Sequence, residues 1–187
     1  MTVRLLRAAD RMALPWKNGG GVTREIAVSP RGATTGGFDW RISLAEVGGD
    51  GPFSAFPGVD RILTVVEGDG MDLTVGGQHI RADERYRPYA FPGDVETDGR
   101  LLGGPVVNFN VMYHRGRTAA LVSVVRGGLP VAVPSRSTVV VVALDGSTRV
   151  EEAGVTLGRY DAAAWDDDAP LSLRTDGRAA VVTLRSP

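Results

Sequence analysis

Residues 38–45 read Phe38-Asp39-Trp40-Arg41-Ile42-Ser43-Leu44-Ala45. Large apolar side chains at 38, 40, 42 and 44 alternate with Asp39, Arg41, Ser43 and Ala45, the period of two that an extended chain imposes on a two-faced segment. The stretch predicts a strand. Similar short segments rich in Val, Ile and Leu recur at 22–29, 61–66, 71–75, 78–81, 106–113, 119–126, 138–144, 148–151, 171–175 and 179–185. Scattered among them are 25 Gly and 11 Pro, residues that stop strands and build turns. The expected class is all-β, with little helix beyond a short turn over residues 8–14.

One pattern recurs. Ile62–Val66, Glu67-Gly68, a second apolar run over 71–75 and Ile80 are echoed by Val140–Leu144, Asp145-Gly146, a run over 148–150 and Leu157. Each copy reads as strand, acidic-Gly turn, strand, turn, strand, with the two glycines 78 positions apart. Two similar β-barrels in one chain are the simplest account. Residues 121–134, with Gly127-Gly128 and Pro130, are expected to connect them.

The chain has 187 residues, a net charge of −1 and 23% charged residues, with a mean hydropathy of −0.03. It is long enough for a packed core without disulfides or metal staples. The charge balance supplies no broad positive field for nucleic acid, and no apolar run approaches the roughly 20 residues of a membrane span. Charges interrupt the apolar N-terminal stretch, so a secretory leader is not expected and the cytoplasm is the expected location. The absence of Cys excludes disulfides, thiolate metal sites and thiol nucleophiles. Two histidines, His79 and His114, are too few for a histidine-rich metal centre.

Three segments carry candidate chemistry. Trp16-Lys17-Asn18-Gly19-Gly20-Gly21 combines a stacking ring, the sole lysine of the chain and an amide with a backbone free to approach a ligand. Its glycines follow the lysine, so it matches no nucleotide-binding loop. Arg41 lies on the polar side of strand 38–45, to be paired either with Asp39 two residues away or with a ligand carboxylate. Asp60 and Arg61, adjacent and opposite in charge, read on their own as a solvated corner. Asn108, Asn110, Met112 and His114 share one parity and suggest a mixed pocket wall.

The strings at 15–27 (PWKNGGGVTREIA), 38–43 (FDWRIS), 50–63 (DGPFSAFPGVDRIL), 89–94 (YAFPGD) and 108–116 (NFNVMYHRG), in that order, resemble the HutD/Ves family. The resemblance implies a cupin-like double β-barrel, a bicupin, with residues 1–118 as the first barrel and 119–187 as a smaller second one. It also implies a link to histidine utilisation and a small metabolite ligand, with urocanate and N-formylglutamate as the usual suggestions. Metal-binding cupins carry a His-x-His pair with a Glu, and a further His. Here His79 and His114 each stand alone, so neither a metal nor another cofactor is expected.

The leading expectation is therefore a metal-independent, non-catalytic protein that binds a small carboxylate metabolite. Arg41 would form a bidentate pair with the carboxylate, and Lys17 and Arg61 would add charge. Asn18, Asn108 and Asn110 would orient polar atoms, and Trp16 or Trp40 would cover an apolar body. The alternative is a metal-free isomerase or hydrolase of a histidine-derived acid, with Glu25 or Glu67 as general base. A second copy of the chain in a homodimer and a regulatory protein partner are also left open; nucleic acid and membrane are not expected.

Overall fold

The computed structural model describes residues 3–34, 36–166 and 170–186. Apart from a 3-10 turn at Ala8–Asp10, every regular element among them is a strand. The fold is all-β. It divides into two compact units, one of residues 12–117 and one of residues 3–11 with 118–186. β1 (Arg4–Leu6) pairs antiparallel with residues 162–164, so the N-terminal segment that the sequence placed in the leading barrel completes the sheet of the other unit. The carboxylate of Asp161 holds it there, accepting the Ala8 N–H at 2.7 Å and Arg7 Nη1 at 2.8 Å.

Residues 12–117 contain β2 (Ala13–Pro15), β3 (Gly21–Ser29), β4 (Trp40–Val47), β5 (Gly51–Pro52) and β6 (Val59–Glu67). They continue with β7 (Met71–Val75), β8 (Gln78–Ala82), β9 (Pro88–Pro92), β10 (Thr97–Leu101) and β11 (Val106–His114). A six-stranded sheet runs β2-β3-β4-β11-β6-β9, and a four-stranded sheet runs β5-β10-β7-β8. Ala45, Val47, Leu63, Val65, Phe91 and Val106 of the larger sheet pack on Met71, Leu73, Val75 and Ala82 of the smaller one. That packing fixes which face is inside. Because side chains alternate, Arg41 and Ser43 share the inner face with Ala45, Arg61 shares it with Leu63, and Asn108, Asn110 and Met112 share it with Val106.

The other unit adds β12 (Ala119–Val131), β13 (Ser137–Asp145), β14 (Thr148–Val150), β15 (Val155–Leu157), β16 (Ala162–Trp165) and β17 (Leu171–Arg185). They form one sheet with β1, in the order β1-β16-β13-β17-β14-β15, with β12 also on β17. Its core holds an apolar cluster in which Val139, Val141, Ala143, Trp165, Leu171, Leu173 and Val181 close on one another. The run Val139–Leu144 is buried at every residue, which is why it reads as continuous rather than alternating.

Two expectations change here. Residues 121–134 do not merely connect, since 121–131 belong to β12 and pair along β17, with a register shift between Val125 and Gly127 that absorbs the positive φ of Gly127. The segments expected as separate strands at 171–175 and 179–185 are one strand, β17.

The repeat read from sequence has a counterpart in strand pairing. Gly68 and Gly146 both take positive φ, +88° and +65°, at the turns leaving β6 and β13. β7 pairs with β8 as β14 pairs with β15, and β9 pairs with β6 as β16 pairs with β13. β10 and β11 pair with β7 and β6, while β17 does both tasks alone, meeting β14 with residues 173–175 and β13 with residues 178–185. Among the described residues, the 118–186 segment has no counterpart of β2 and β3. No helix among them is long and apolar enough to cross a membrane.

Candidate functional site

The inner face of the six-stranded sheet is where polar groups collect. Register places Glu25 beside Ser43, Ser43 beside Asn110 and Asn110 beside Leu63 in one row. The next row runs Val28, Arg41, Met112, Arg61, Phe91. Arg41 and Arg61 therefore stand two strands apart with Met112 between them. A register shift between Glu25 and Ala27 bends β3 at this point and sets Glu25 next to Arg41.

Arg41 Nε donates to Glu25 Oε2 at 2.9 Å. The side chain of Arg41 is only 14% exposed whereas that of Glu25 is 35% exposed, so the pair spans from the interior to its mouth. Asp39, the partner available by sequence proximity, faces the other way and pairs with Arg117 at 3.3 Å. Asp39 precedes β4, which begins at Trp40.

Arg61 is no solvated corner. Its guanidinium carbon lies 5.1, 5.6 and 5.8 Å from the ring centres of Phe53, Phe56 and Phe91, close enough for each ring face to attract the cation. Its Nε is buried without a hydrogen-bond partner among the described residues, and Nη1 reaches the Ser54 carbonyl only at 3.5 Å. Burial pushes its pKa down to about 10, and the neighbouring Arg41 charge pushes it the same way. Asp60, on the opposite face of β6, pairs with Arg115 at 2.7 Å.

Asn108 and Asn110 are 1% and 6% exposed. The Asn108 amide donates from Nδ2 to Met71 Sδ at 3.2 Å, and Asn110 Nδ2 donates to the Asn108 backbone carbonyl at 3.4 Å. Both side-chain carbonyl oxygens are buried without a partner among the described residues. Such orphans are uncommon in folded proteins.

The structure does not gather all the residues expected in one site. Trp40 lies on the opposite face of β4 from Arg41 and is buried there. Trp16 is half-buried against the apolar end of the interior, its Nε1 donating to Thr23 Oγ1 at 2.8 Å. Lys17 and Asn18 are exposed in the loop beyond it, and Asn18 Oδ1 accepts the Gly20 N–H at 3.0 Å to shape the turn. Gly21 matters for close approach: a Cβ there would stand 2.5 Å from the Glu46 carbonyl oxygen and 3.0 Å from the Trp16 ring. Met112 is buried, whereas His114 is half-buried with its Nδ1 2.7 Å from the Arg115 carbonyl oxygen.

The phenylalanine cage was not foreseen, although the sequence carries a signal for it. The tripeptide Phe-Pro-Gly occurs at 56–58 and again at 91–93. The two copies meet, with the Phe56 N–H donating to the Gly93 carbonyl at 2.8 Å, and both phenylalanines lie against Arg61.

As a donor set, this interior does not fit a divalent cation. Its one carboxylate at the cluster, Glu25, is engaged by Arg41, and a second guanidinium stands close by. Among the described residues no group of three or more His, Cys, Asp or Glu side chains is placed to hold a metal ion. What the arrangement can do is receive an anion.

Comparison with known proteins agrees with the family resemblance of the sequence. A protein described as uncharacterised, of 21.2 kDa, in the hutC 3′ region of Pseudomonas putida is 38% identical over 98% of both chains. Protein Ves of Citrobacter koseri is 38% identical over 58% of this chain and 56% of its own. The solved structure of HutD from Pseudomonas fluorescens SBW25 (formate condition) superposes with a TM-score of 0.89 at 35% identity, covering all of both chains. A bacterial pirin from Escherichia coli, solved in complex with nickel(II), covers all of both chains at a TM-score of 0.67 and 10% identity, a likeness of cupin-like fold alone. The HutD family model matches residues 8–183, and the chain belongs to the HutD family.

Proposed function

We propose that the chain is a metal-independent, cytoplasmic small-metabolite-binding protein that modulates histidine utilisation by holding a small carboxylate inside the 12–117 unit. Urocanate and N-formylglutamate are the first compounds to try. In this reading both units are small cupin-like barrels, and the leading one holds the ligand. The supporting observation is a charge imbalance. Two guanidinium groups, Arg41 and Arg61, face one interior, and among the described residues Glu25 is the one carboxylate paired with either of them. A buried cation without a counter-anion is costly, and a ligand carboxylate would supply the missing charge.

The test is a melting screen against urocanate, N-formylglutamate, glutamate, histidine and divalent metals, followed by titration calorimetry. A ligand at 100 times its dissociation constant stabilises by about 2.7 kcal/mol, on the order of 5 °C for a chain of this size. Arg41→Ala and Arg61→Ala should each weaken a carboxylate by well over tenfold. Full affinity in both variants would remove the carboxylate from this interior.

A further inference from the structure

The two asparagines constrain the ligand more narrowly than the two arginines do. A side-chain amide can be placed either way round, but here each orientation is dictated by an acceptor. Met71 Sδ faces the Asn108 amide and can only accept, so the NH2 end must point to it. The backbone carbonyl of Asn108 likewise can only accept, and it fixes the NH2 end of Asn110. Both amides are thereby forced to leave a carbonyl oxygen unmet, at positions nine-tenths or more buried. The two stand on one strand, two residues apart on one face: Asn110 lies between Ser43 on β4 and Leu63 on β6, in the row next to Arg41, Met112 and Arg61, and Asn108 lies one row further in, between Ala45 and Val65.

A bare anion answers only half of this interior. It would satisfy the Arg61 Nε, but two carbonyl oxygens would still lack donors and would repel any further acceptor brought near them. Building on the carboxylate reading, we infer that the ligand is bifunctional, with a carboxylate for the guanidinium side and an N–H donor for the carbonyl oxygens of Asn108 and Asn110. Ring N–H acids and N-acyl amino acids belong to this class. Acids whose remaining atoms are all hydrocarbon or acceptor do not. Leaving a buried acceptor unmet while its surroundings are dried is what separates the two groups, and sites built to bond a donor reject analogues that lack it.

Matched probes test this on the native protein. N-acetylglycine and N-acetylsarcosine carry the same carboxylate and differ by N–H against N–CH3; imidazole-4-acetate and 1-methylimidazole-4-acetate repeat the contrast on a flat ring. The methyl ester of N-acetylglycine keeps the N–H and removes the charge. In calorimetry the N–H member of at least one pair should bind about tenfold or more tightly than its methylated twin. In Asn110→Leu that ratio should fall below about threefold. Equal affinity within both pairs, with the ester not binding, means that ordered water meets the two carbonyls; it overturns the donor requirement and leaves the carboxylate reading intact. Binding of the ester as tight as that of the acid, or no binding by any acid, overturns the carboxylate reading itself and the donor requirement with it.

Discussion

Gly93 lies directly against the stem of Arg61: a Cβ placed on it would stand 3.0 Å from Arg61 Cγ, 3.2 Å from Cδ and 2.9 Å from the Val59 carbonyl oxygen. The Gly93 N–H donates to that same carbonyl at 2.7 Å, so the backbone has little freedom to retreat. The missing side chain is what lets the arginine pass between β9 and its phenylalanine cage. Gly93→Ala should displace Arg61 and cut carboxylate affinity by about tenfold or more. Its cost in stability should be about 1–3 kcal/mol, typical of forced overpacking. Denaturant melts with calorimetry separate the two effects, and retained affinity would show that Arg61 does not depend on this contact.

Asp161 contributes to the acid side of the stability profile. Its burial alone would raise the carboxyl pKa, but hydrogen bonds from the Ala8 N–H, Arg7 and the Gly158 N–H outweigh that and hold it below its ordinary value of 3.8. A depressed folded value means that the unfolded chain takes up the proton first. The stabilisation is whole above about pH 4 and is lost as pH falls through the lowered folded value. Asp161→Asn should destabilise by about 1–3 kcal/mol at neutral pH by weakening the anchor of residues 7 and 8. The variant should also lose less stability than the native chain between pH 4 and pH 2, and parallel acid profiles of the two proteins would contradict this.

The period-two reading of residues 38–45 located β4 because a wholly apolar face alternates with one that carries Arg41 and Ser43, although both faces are buried. Strands lacking that contrast were not legible. β16 is Ala162-Ala163-Ala164-Trp165, buried throughout; its alanines carry weak strand preference, and without a polar face they show no alternation. β9 runs Pro88–Pro92 and β10 runs Thr97–Leu101 through Gly99, both signatures of turns in isolation. At the site, Arg41 and the two asparagines were visible from parity alone. Glu25 as the partner of Arg41 was not, because a bulge on another strand decides it, and bulges leave no periodic trace. Trp40 shows the converse limit, since nearness in sequence to Arg41 put it on the opposite face.

Arg61 should be kept at the expense of stability. A buried guanidinium that lacks a counter-anion is compensated only in part by its three ring contacts, each at 5.1–5.8 Å. Arg61→Met, similar in length and apolar, should raise the stability of the ligand-free protein by about 1 kcal/mol or more while abolishing carboxylate binding. The pH dependence follows the same sign. Because the folded pKa is lowered to about 10, well below its ordinary value, the unfolded chain holds that proton more firmly. The cost of the charge is fully present below pH 10 and is relieved as pH rises from there. The native chain should therefore gain on Arg61→Met above pH 10. A destabilised Arg61→Met at neutral pH would mean that the cage more than offsets the desolvation of the charge.

On the carboxylate reading, Glu25 competes with the ligand for Arg41. Its carboxylate is 35% exposed, so its ion pair with Arg41 contributes about 1 kcal/mol at most to stability, and less as salt is added. Its effect on binding is larger, because it neutralises one of the two guanidinium groups that an incoming anion would meet. Glu25→Gln leaves size and hydrogen-bonding capacity nearly unchanged while removing that charge. Carboxylate affinity should then rise about threefold to tenfold, with a steeper decline in added salt, and the melting temperature of the ligand-free protein should move by no more than a degree or two. Weaker binding in Glu25→Gln would place Glu25 among the groups that hold the ligand, as acceptor for its N–H. Chemical turnover of a bound acid that vanishes in this variant would make Glu25 a general base instead, and the protein an enzyme.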